Sequence, residues 1–308
     1  MFLVLSGGTG TPKLIQGLMR IVPPEELEIL VNTSEDVEIS GMCVSPDIDT
    51  VLYTLAGVID EEKWHGIRGD TFAEHEEIKR KGGEELLRIG DRDREVNYYR
   101  TEQLKNGFTL SEVTEKLCQR FKVRQKVYPM TNDRVTTRIE TNTGELSFHE
   151  FWVARRGRDE VTNVIFDGVE DARPTTGVLE AVSRADGVII GPSNPITSIG
   201  PILAVRGIRE KLEDNREKIS AVSPIIGSAP VSGPAGNLME GLGHEVSPLG
   251  VAKIYRSVAS RFVLDFSDED ATPKIEKLGM KTRMADLLMP NHDSRERLAR
   301  EVLNSLEE

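Results

Sequence analysis

Cysteine and long apolar runs are what this chain has least of. Its 308 residues include two cysteines, Cys43 and Cys118, which excludes a disulfide framework and a metal site built from a cysteine cluster. No apolar run approaches the roughly 20 residues that cross a bilayer. The apolar run at the N-terminus is short and has no basic segment before it, unlike a signal peptide. We therefore expect a cytoplasmic protein with no membrane partner.

Positive charge is also in short supply. The chain has 39 lysines and arginines against 51 aspartates and glutamates, which gives a formal net charge of −12. Nucleic acids bind to cationic surfaces, so this balance argues against a nucleic-acid partner. A small phosphorylated ligand needs only a local positive pocket and stays open. The five histidines show no metal-ligand spacing. The sequence also has no G-x-S-x-G elbow, so no covalent nucleophile can be named.

The first fourteen residues predict a phosphate-binding loop. An apolar run at residues 2–5 leads into a glycine-rich turn that opens a helix, with Pro12 in the first helical turn. Glycines allow close approach of a phosphate, and the helix start supplies free N–H donors and a positive dipole end. The candidate phosphate-binding residues are Gly8, Thr9, Gly10, Thr11 and Lys13.

The loop departs from two known patterns. It is a G-x-G-x-x-G sequence with Lys13 in place of the third glycine, and no Gly-Lys-Ser/Thr follows as in a Walker A loop. The second apolar run, residues 28–31, is not followed at once by the acid that an NAD ribose requires; the first acids are Glu35 and Asp36. An ordinary tight turn, with Lys13 as a solvated cation, is the alternative to a phosphate site.

The order of apolar runs predicts an α/β fold: a Rossmann-like, mostly parallel sheet with helices on both faces and an inserted α+β subdomain. Short apolar runs at 2–5, 28–31, 187–190, 219–226 and 261–266 alternate with helical patterns, as in a sheet covered on both sides. We assign residues 1–60 and 170–308 to the nucleotide-binding core. Residues 61–169, charged and then strand-like, are predicted to form an inserted subdomain over the site. A decorative insertion is the alternative.

Three further stretches carry candidate site residues. Asp47 and Asp49 precede an apolar helix. Asp49 or Thr50 could cap it, and two such acids could also hold Mg²⁺ beside a phosphate or accept a proton. Arg88 begins a charged run that is either a solvated helix end or a site at which an arginine binds phosphate or a carboxylate. Two uncharged loops, 191–200 and 227–236, follow strands and suit phosphate or sugar recognition. The first supplies the candidates Ser193, Asn194, Thr197 and Ser198.

Together these motifs resemble the 2-phospho-L-lactate transferase family, which acts in biosynthesis of the deazaflavin coenzyme F-420. The resemblance rests on residues 6–14, 45–50, 88–93, 193–203 and 227–235, which occur in family order along essentially the whole chain. It implies transfer of the 2-phospho-L-lactate moiety from lactyl-2-diphospho-5′-guanosine to the terminal ribityl hydroxyl of Fo (7,8-didemethyl-8-hydroxy-5-deazariboflavin). GMP leaves and Mg²⁺ assists. Some relatives use an enolpyruvyl donor, and the sequence does not decide between the two.

The resemblance also implies residue roles. Asp49 would contact the Fo ribityl chain and act as the base, Asp47 would take part in catalysis by holding Mg²⁺, and Arg88 would reach Fo or the phosphates. The loop at 8–13 and residues 193–198 would hold the guanosine diphosphate part. A homodimer is left open, because nothing in the sequence argues for one.

Two other classes of protein stay open. One is a non-catalytic regulator of the related gluconeogenesis-factor type, which binds a sugar nucleotide; residues 33–41 of this chain differ from the Asp-Asp-Gly-Gly-Ser-Ser run expected there. The other is an NAD-dependent oxidoreductase, which the missing third glycine and missing ribose carboxylate disfavour.

Overall fold

The computed structural model describes residues 1–307. Within this range the strands are β1 (Phe2–Ser6), β2 (Leu27–Val31), β3 (Val37–Ile39), β4 (Met42–Val44), β5 (Lys126–Pro129), β6 (Thr136–Thr141), β7 (Gly144–Ser147), β8 (Val161–Asp167), β9 (Gly187–Ile190), β10 (Ile219–Val222), β11 (Ile225–Ile226), β12 (Ala229–Pro230), β13 (Arg261–Asp265) and β14 (Lys281–Ala285).

The α-helices are α1 (Gly10–Leu18), α2 (Pro46–Leu55), α3 (Ala73–Arg80), α4 (Asp91–Lys105), α5 (Leu110–Arg120), α6 (Val178–Arg184), α7 (Ile199–Ala204), α8 (Ile208–Glu213), α9 (Ala235–Gly241), α10 (Pro248–Tyr255), α11 (Thr272–Glu276) and α12 (His292–Glu307). A π-helical turn, Glu150–Ala154, connects β7 to the segment before β8. Across residues 1–307, none of the helices has both the length and the apolar character that a bilayer span demands.

A seven-stranded parallel sheet forms the centre of the molecule, in the order β14-β13-β10-β9-β1-β2-β5. Alternate residues of β1 enter two different apolar cores: Leu3 and Leu5 join one, and Val4 joins the other. Helices α6, α7 and α10 contribute to the first core, and α1 and α12 to the second. The predicted α/β fold, with a parallel sheet and helices on both faces, is therefore confirmed.

Residues 61–169 contain three helices and a second sheet that lie outside the central sheet. Helices α3, α4 and α5 come first, and a three-stranded antiparallel sheet, β7-β6-β8, follows. The hairpin between β6 and β7 turns at Asn142 and Thr143. One strand of this range, β5, pairs with β2 and forms an edge of the central sheet. The division into a core and an inserted subdomain stays a prediction.

The order of the strands creates a crevice at the centre of the sheet. From β1 the chain passes to β2 on one side, and it later returns to β9 on the other side of β1. In open parallel sheets the loops at such a reversal diverge and leave space for a ligand beyond the carboxyl ends of the strands. The glycine-rich loop after β1 and residues 191–198 after β9 are the two loops at this point.

Candidate active site

A cavity of about 460 Å³ opens at the carboxyl ends of β1, β2, β9 and β10. Most of the residues that the sequence predicts for the site line it, and these are Gly8, Thr9, Gly10, Lys13, Asp47, Ser193, Asn194, Thr197 and Ser198. Segments far apart in sequence therefore meet in one cavity. Three predicted residues, Thr11, Asp49 and Arg88, lie outside its lining.

The glycine-rich loop is held tightly against the loop that follows β9. Gly8 has a φ of +59°, a conformation that glycine adopts without strain. At Gly10 an added Cβ would overlap the carbonyl oxygen of Pro192, so only glycine fits there. The Ser193 hydroxyl donates to the carbonyl of Gly7 and lies 2.6 Å from the Thr11 hydroxyl. Thr11 therefore connects the two loops, although it does not line the cavity.

The loops at residues 8–13 and 193–198 together form a cradle whose hydrogen-bond donors suit an anion. Helix α1 starts at Gly10, and no side chain caps its N-terminus; the N–H groups of its first turn, which Pro12 lacks, have no acceptor within the helix. In the facing loop, the Asn194 Oδ1 accepts from the N–H of Ile196 at 2.9 Å. The Nδ2 of Asn194 is buried without a hydrogen-bond partner in residues 1–307. Lys13 lines the cavity above the Trp64 ring, and burial lowers its pKa.

Asp47 fixes the position of helix α2 relative to the glycine-rich loop. Its Oδ1 accepts a hydrogen bond from the N–H of Gly8 at 2.9 Å, and its Oδ2 accepts one from Asn32 Nδ2 at 2.9 Å. Burial raises the pKa of Asp47 to about 6, although both hydrogen bonds act to lower it. The sequence analysis missed Asn32, whose position directly after β2 at the reversal of strand order was the available signal.

Glu35 is a second carboxylate in the cavity, and no role for it was predicted. Its Oε1 is buried, and no partner in residues 1–307 meets hydrogen-bond geometry with it. Burial and the charge of Asp47 raise the pKa of Glu35 well above its usual value, with the Thr197 hydroxyl opposing. The backbone carbonyl of Glu35 contacts His149 Nε2 at 2.7 Å. The segment after β2 is thus tied to the residues that follow β7.

Asp49 points away from the cavity, and helix geometry explains why. Pro46 occupies the first turn of α2, so the helix begins before Asp47 and both acids are helical. Neither Asp47 nor Asp49 caps the helix from a preceding loop. Residues two apart on a helix lie about 200° apart around its axis. The Asp49 carboxylate faces α4 and pairs with Arg100, and burial raises the pKa of Asp49 against the opposing charge of Arg100.

Arg88 lies in a neighbouring, smaller cavity of about 190 Å³. Its guanidinium stacks 4.1 Å from the centre of the Phe72 ring and contacts the carboxylate of Glu76 at 3.3 Å. The side chain is more than half exposed. His65 lines both this cavity and the larger one, so Arg88 is adjacent to the site but is not brought onto the phosphate cradle.

Asp93 of α4, which is half-buried, adds a further acid beside α2. Its carboxylate accepts a hydrogen bond from the Tyr53 hydroxyl at 2.7 Å. Burial, with the negative charges of Asp49 and Asp70, raises the pKa of Asp93 to about 7, against the effects of Tyr53 and Arg100. Asp93 therefore titrates near neutral pH in the folded protein.

We expect Asp93→Asn to stabilise the protein more at high pH than at low pH. The folded-state pKa of about 7 exceeds the unfolded value of about 3.9. The native state therefore binds the extra proton, and stability falls as the pH rises between these values. Asparagine keeps an acceptor for Tyr53 and carries no charge. The stability change caused by the substitution should be about 2 to 3 kcal/mol more favourable at pH 8 than at pH 5.

Urea denaturation of both proteins at the two pH values measures this difference. A stability change that is the same at both pH values would show that Asp93 does not titrate in this range.

The carboxylates that line the cavity fit a hard divalent cation. Residues 1–307 contain no cluster of three or more His, Cys, Asp or Glu side chains arranged to hold a metal ion. Mg²⁺ is commonly bound by one or two carboxylates together with substrate phosphates and water. Asp47 and Glu35 face the same cavity as the phosphate cradle, and the Oε1 of Glu35 has no other partner in the described chain. These two residues could hold Mg²⁺.

Comparison with known proteins agrees with the resemblance seen in the sequence. Residues 2–294 match the family model described as 2-phospho-L-lactate transferase CofD. The 2-phospho-L-lactate transferase of Methanosarcina acetivorans is 46% identical over 301 residues, which cover 98% of this chain and 97% of that protein. The one from Methanopyrus kandleri is 47% identical over 310 residues, which cover 99% and 97%.

A solved structure of lower identity has the same fold. A Bacillus halodurans protein described as a member of the upf0052 family superposes with a TM-score of 0.66 at 18% identity, covering 98% of this chain and 99% of that one. At this identity the likeness establishes the fold alone.

Proposed function

Since this chain belongs to the 2-phospho-L-lactate transferase CofD family, we propose that it transfers 2-phospho-L-lactate from lactyl-2-diphospho-5′-guanosine to the ribityl hydroxyl of Fo and releases GMP. Membership makes it an enzyme of phospholactate transfer in coenzyme F-420 biosynthesis. The donor, the acceptor and the leaving group are the proposal. Nothing among the residues of the site favours a hydride-transferring oxidoreductase.

One observation carries the proposal: the cavity combines an anion cradle with a carboxylate that is hydrogen-bonded to the cradle itself. Asp47 accepts from the N–H of Gly8, and the loops at 8–13 and 193–198 pack against each other and line the same cavity. Phosphoryl transfer needs positioning and charge stabilisation more than a covalent nucleophile. A diphosphate in this cradle would meet helix N–H donors, the Lys13 ammonium and a carboxylate.

The proposed step is a single displacement at phosphorus. The terminal ribityl oxygen of Fo forms a bond to the phosphorus that bears the lactyl group, and the bond from that phosphorus to the oxygen of GMP breaks. The hydroxyl proton passes to the carboxylate of the proposed base, Asp49. Mg²⁺, when bound at Asp47 and Glu35, would neutralise charge on the phosphates. The products are GMP and the phosphodiester of coenzyme F-420 without its glutamates.

Asp47 and Asp49 are the proposed catalytic carboxylates. Asp47 lines the cavity beside the glycine-rich loop, where it is proposed to hold Mg²⁺. Asp49 is proposed as the base that contacts the ribityl chain, which requires its carboxylate to leave Arg100. Arg88 is proposed to contact Fo from the adjoining cavity. An acceptor placed on that side approaches the phosphate cradle from α2 and α4.

Titration with Fo tests the acceptor directly, because deazaflavin fluorescence reports binding. We expect saturable micromolar binding of Fo that responds to GDP and Mg²⁺, followed by turnover with the lactyl donor. The enolpyruvyl donor, assayed in parallel, distinguishes the two donor classes. Absence of Fo binding under every condition, with binding of a sugar nucleotide instead, would overturn the proposal in favour of a nucleotide-sensing relative.

A further inference from the structure

Three exposed apolar side chains meet at the mouth of the large cavity. They are Trp152, Val231 and Leu288, which are 39%, 44% and 52% exposed and all line the cavity. They come from three separate segments: the π-helical turn after β7, the loop between β12 and α9, and the loop between β14 and α12. Exposed apolar groups that converge on one cavity, unlike scattered ones, mark a binding surface.

The Trp152 ring is held in place by the backbone beneath it. Gly157 has a φ of +61°, and a Cβ added there would lie 3.3 Å from two atoms of the Trp152 ring. The ring thus rests against a residue without a side chain. Asn237 of α9 donates its Nδ2 to the Gly157 carbonyl at 2.6 Å. This bond connects the Trp152 turn to the segment that carries Val231, so both sides of the mouth are positioned together.

The mouth adjoins the phosphate cradle. The Ser232 hydroxyl, next to Val231 in sequence, lies 3.5 Å from the hydroxyl of Thr9 in the glycine-rich loop. A nucleotide whose diphosphate occupies the cradle must place its base elsewhere in the same cavity. The acceptor contacts proposed above, Asp49 and Arg88, lie outside this cavity. The apolar mouth is therefore free for the base.

From this arrangement, and resting on the proposed function, we propose that Trp152 stacks on the purine base of the nucleotide donor. Val231 and Leu288 close the mouth around the base. Flat aromatic side chains stack on nucleobases through their π faces. A ring that is already held in place loses less conformational freedom on binding. Trp152 is thus a positioning residue for the donor, supplied by the segment between β7 and β8.

Calorimetric titration with GDP and with inorganic pyrophosphate separates the base from the phosphates. We expect Trp152→Ala to weaken GDP binding between about 5-fold and about 150-fold and to leave pyrophosphate and Fo binding unchanged. Trp152→Phe, which keeps a stacking ring, should stay within a few-fold of the unmodified protein. Phe266→Ala is the matched control, because Phe266 is a 60% exposed aromatic side chain outside the cavity; it should change neither affinity.

Tryptophan fluorescence gives a readout that a purely structural role would not change. The chain has two tryptophans, and the other, Trp64, also lines the cavity, beneath Lys13. The measurement therefore uses Trp64→Phe, in which Trp152 is the one remaining tryptophan. GDP should quench the emission of Trp64→Phe, and pyrophosphate should not.

Three results would overturn the inference. The first is Trp152→Ala binding GDP as tightly as the unmodified protein. The second is equal weakening of GDP and pyrophosphate, and the third is weakening of Fo in place of GDP. If the unmodified enzyme turns over while any of these is seen, the proposed function stands and only the stacking is wrong. Failure of the unmodified protein to bind GDP or Fo would remove both.

Discussion

Asp47→Asn is expected to lower turnover by about 10²- to 10³-fold, the loss typical of removing one charge-stabilising group from a transition state. In the unmodified protein, Asn32 Nδ2 donates to Asp47 at 2.9 Å. In the variant the asparagine oxygen can still accept from the N–H of Gly8. Its NH₂ group, however, would face the NH₂ group of Asn32, and two donors cannot form a hydrogen bond. Because the buried Asn32 donor loses its acceptor, the substitution should cost about 1 to 3 kcal/mol of stability. Steady-state assays with the lactyl donor and Fo measure the effect.

A companion set of measurements separates charge from structure. The concentration of Mg²⁺ that gives half-maximal activity should rise in Asp47→Asn, and also in Glu35→Gln. Asp214→Asn, at an exposed acid next to α8, serves as the matched control and should leave turnover unchanged. Turnover of Asp47→Asn within twofold of the unmodified enzyme would remove Asp47 from the catalytic site.

Arg100→Met is expected to destabilise the protein by about 3 to 5 kcal/mol, because it leaves a buried carboxylate without its partner. Arg100 is fully buried; it pairs with Asp49, donates to Asn97 Oδ1 at 2.5 Å and donates to the Cys43 carbonyl at 3.2 Å. This one side chain therefore joins α2, α4 and β4. The loss is measured by urea denaturation.

The double variant Asp49→Leu/Arg100→Met separates the ion pair from its surroundings. Replacing both partners of a buried pair with apolar groups is often neutral, so the double variant should recover most of the stability that Arg100→Met loses. A loss below about 1 kcal/mol in the single variant would contradict the assignment of a buried pair. Asp49→Asn, assayed under conditions in which this variant is folded, then tests whether Asp49 is the base. Unchanged turnover would exclude Asp49 from that role.

The central strands could be predicted from sequence because buried parallel strands are short apolar runs bounded by glycine and polar residues. Residues 2–5, 28–31 and 187–190 have this form, and they are β1, β2 and β9. Strand β5 lacks it: Lys126–Pro129 begins with a charged residue, ends in proline and follows charged helices. Its place beside β2 depends on packing at the sheet edge, which no local pattern encodes.

The site was predictable where its residues follow strands and not where they come from elsewhere. Loops after β1 and β9 meet because neighbouring parallel strands end at one edge of the sheet, so Gly8 and Ser193 could be placed together in advance. The direction of Asp49 depended on where α2 begins, and a difference of a few residues in that start sent its side chain away from the cavity. Trp152 and Leu288 reach the mouth only through tertiary packing of distant segments.

The cradle also determines when during folding the protein can first bind a ligand. Its two loops meet through Gly7 and Ser193, which are 186 residues apart in sequence, and β1 is completed on that side only by β9. Contacts of such separation form late, since the entropy of closing the intervening chain must be overcome first. A nascent chain that ends before residue 198 has the glycine-rich sequence but lacks the opposite wall of the cradle. Binding of the proposed nucleotide is therefore expected only in the completed fold, and a nucleotide at about 100 times its Kd would add roughly 2.7 kcal/mol to the stability of the whole chain.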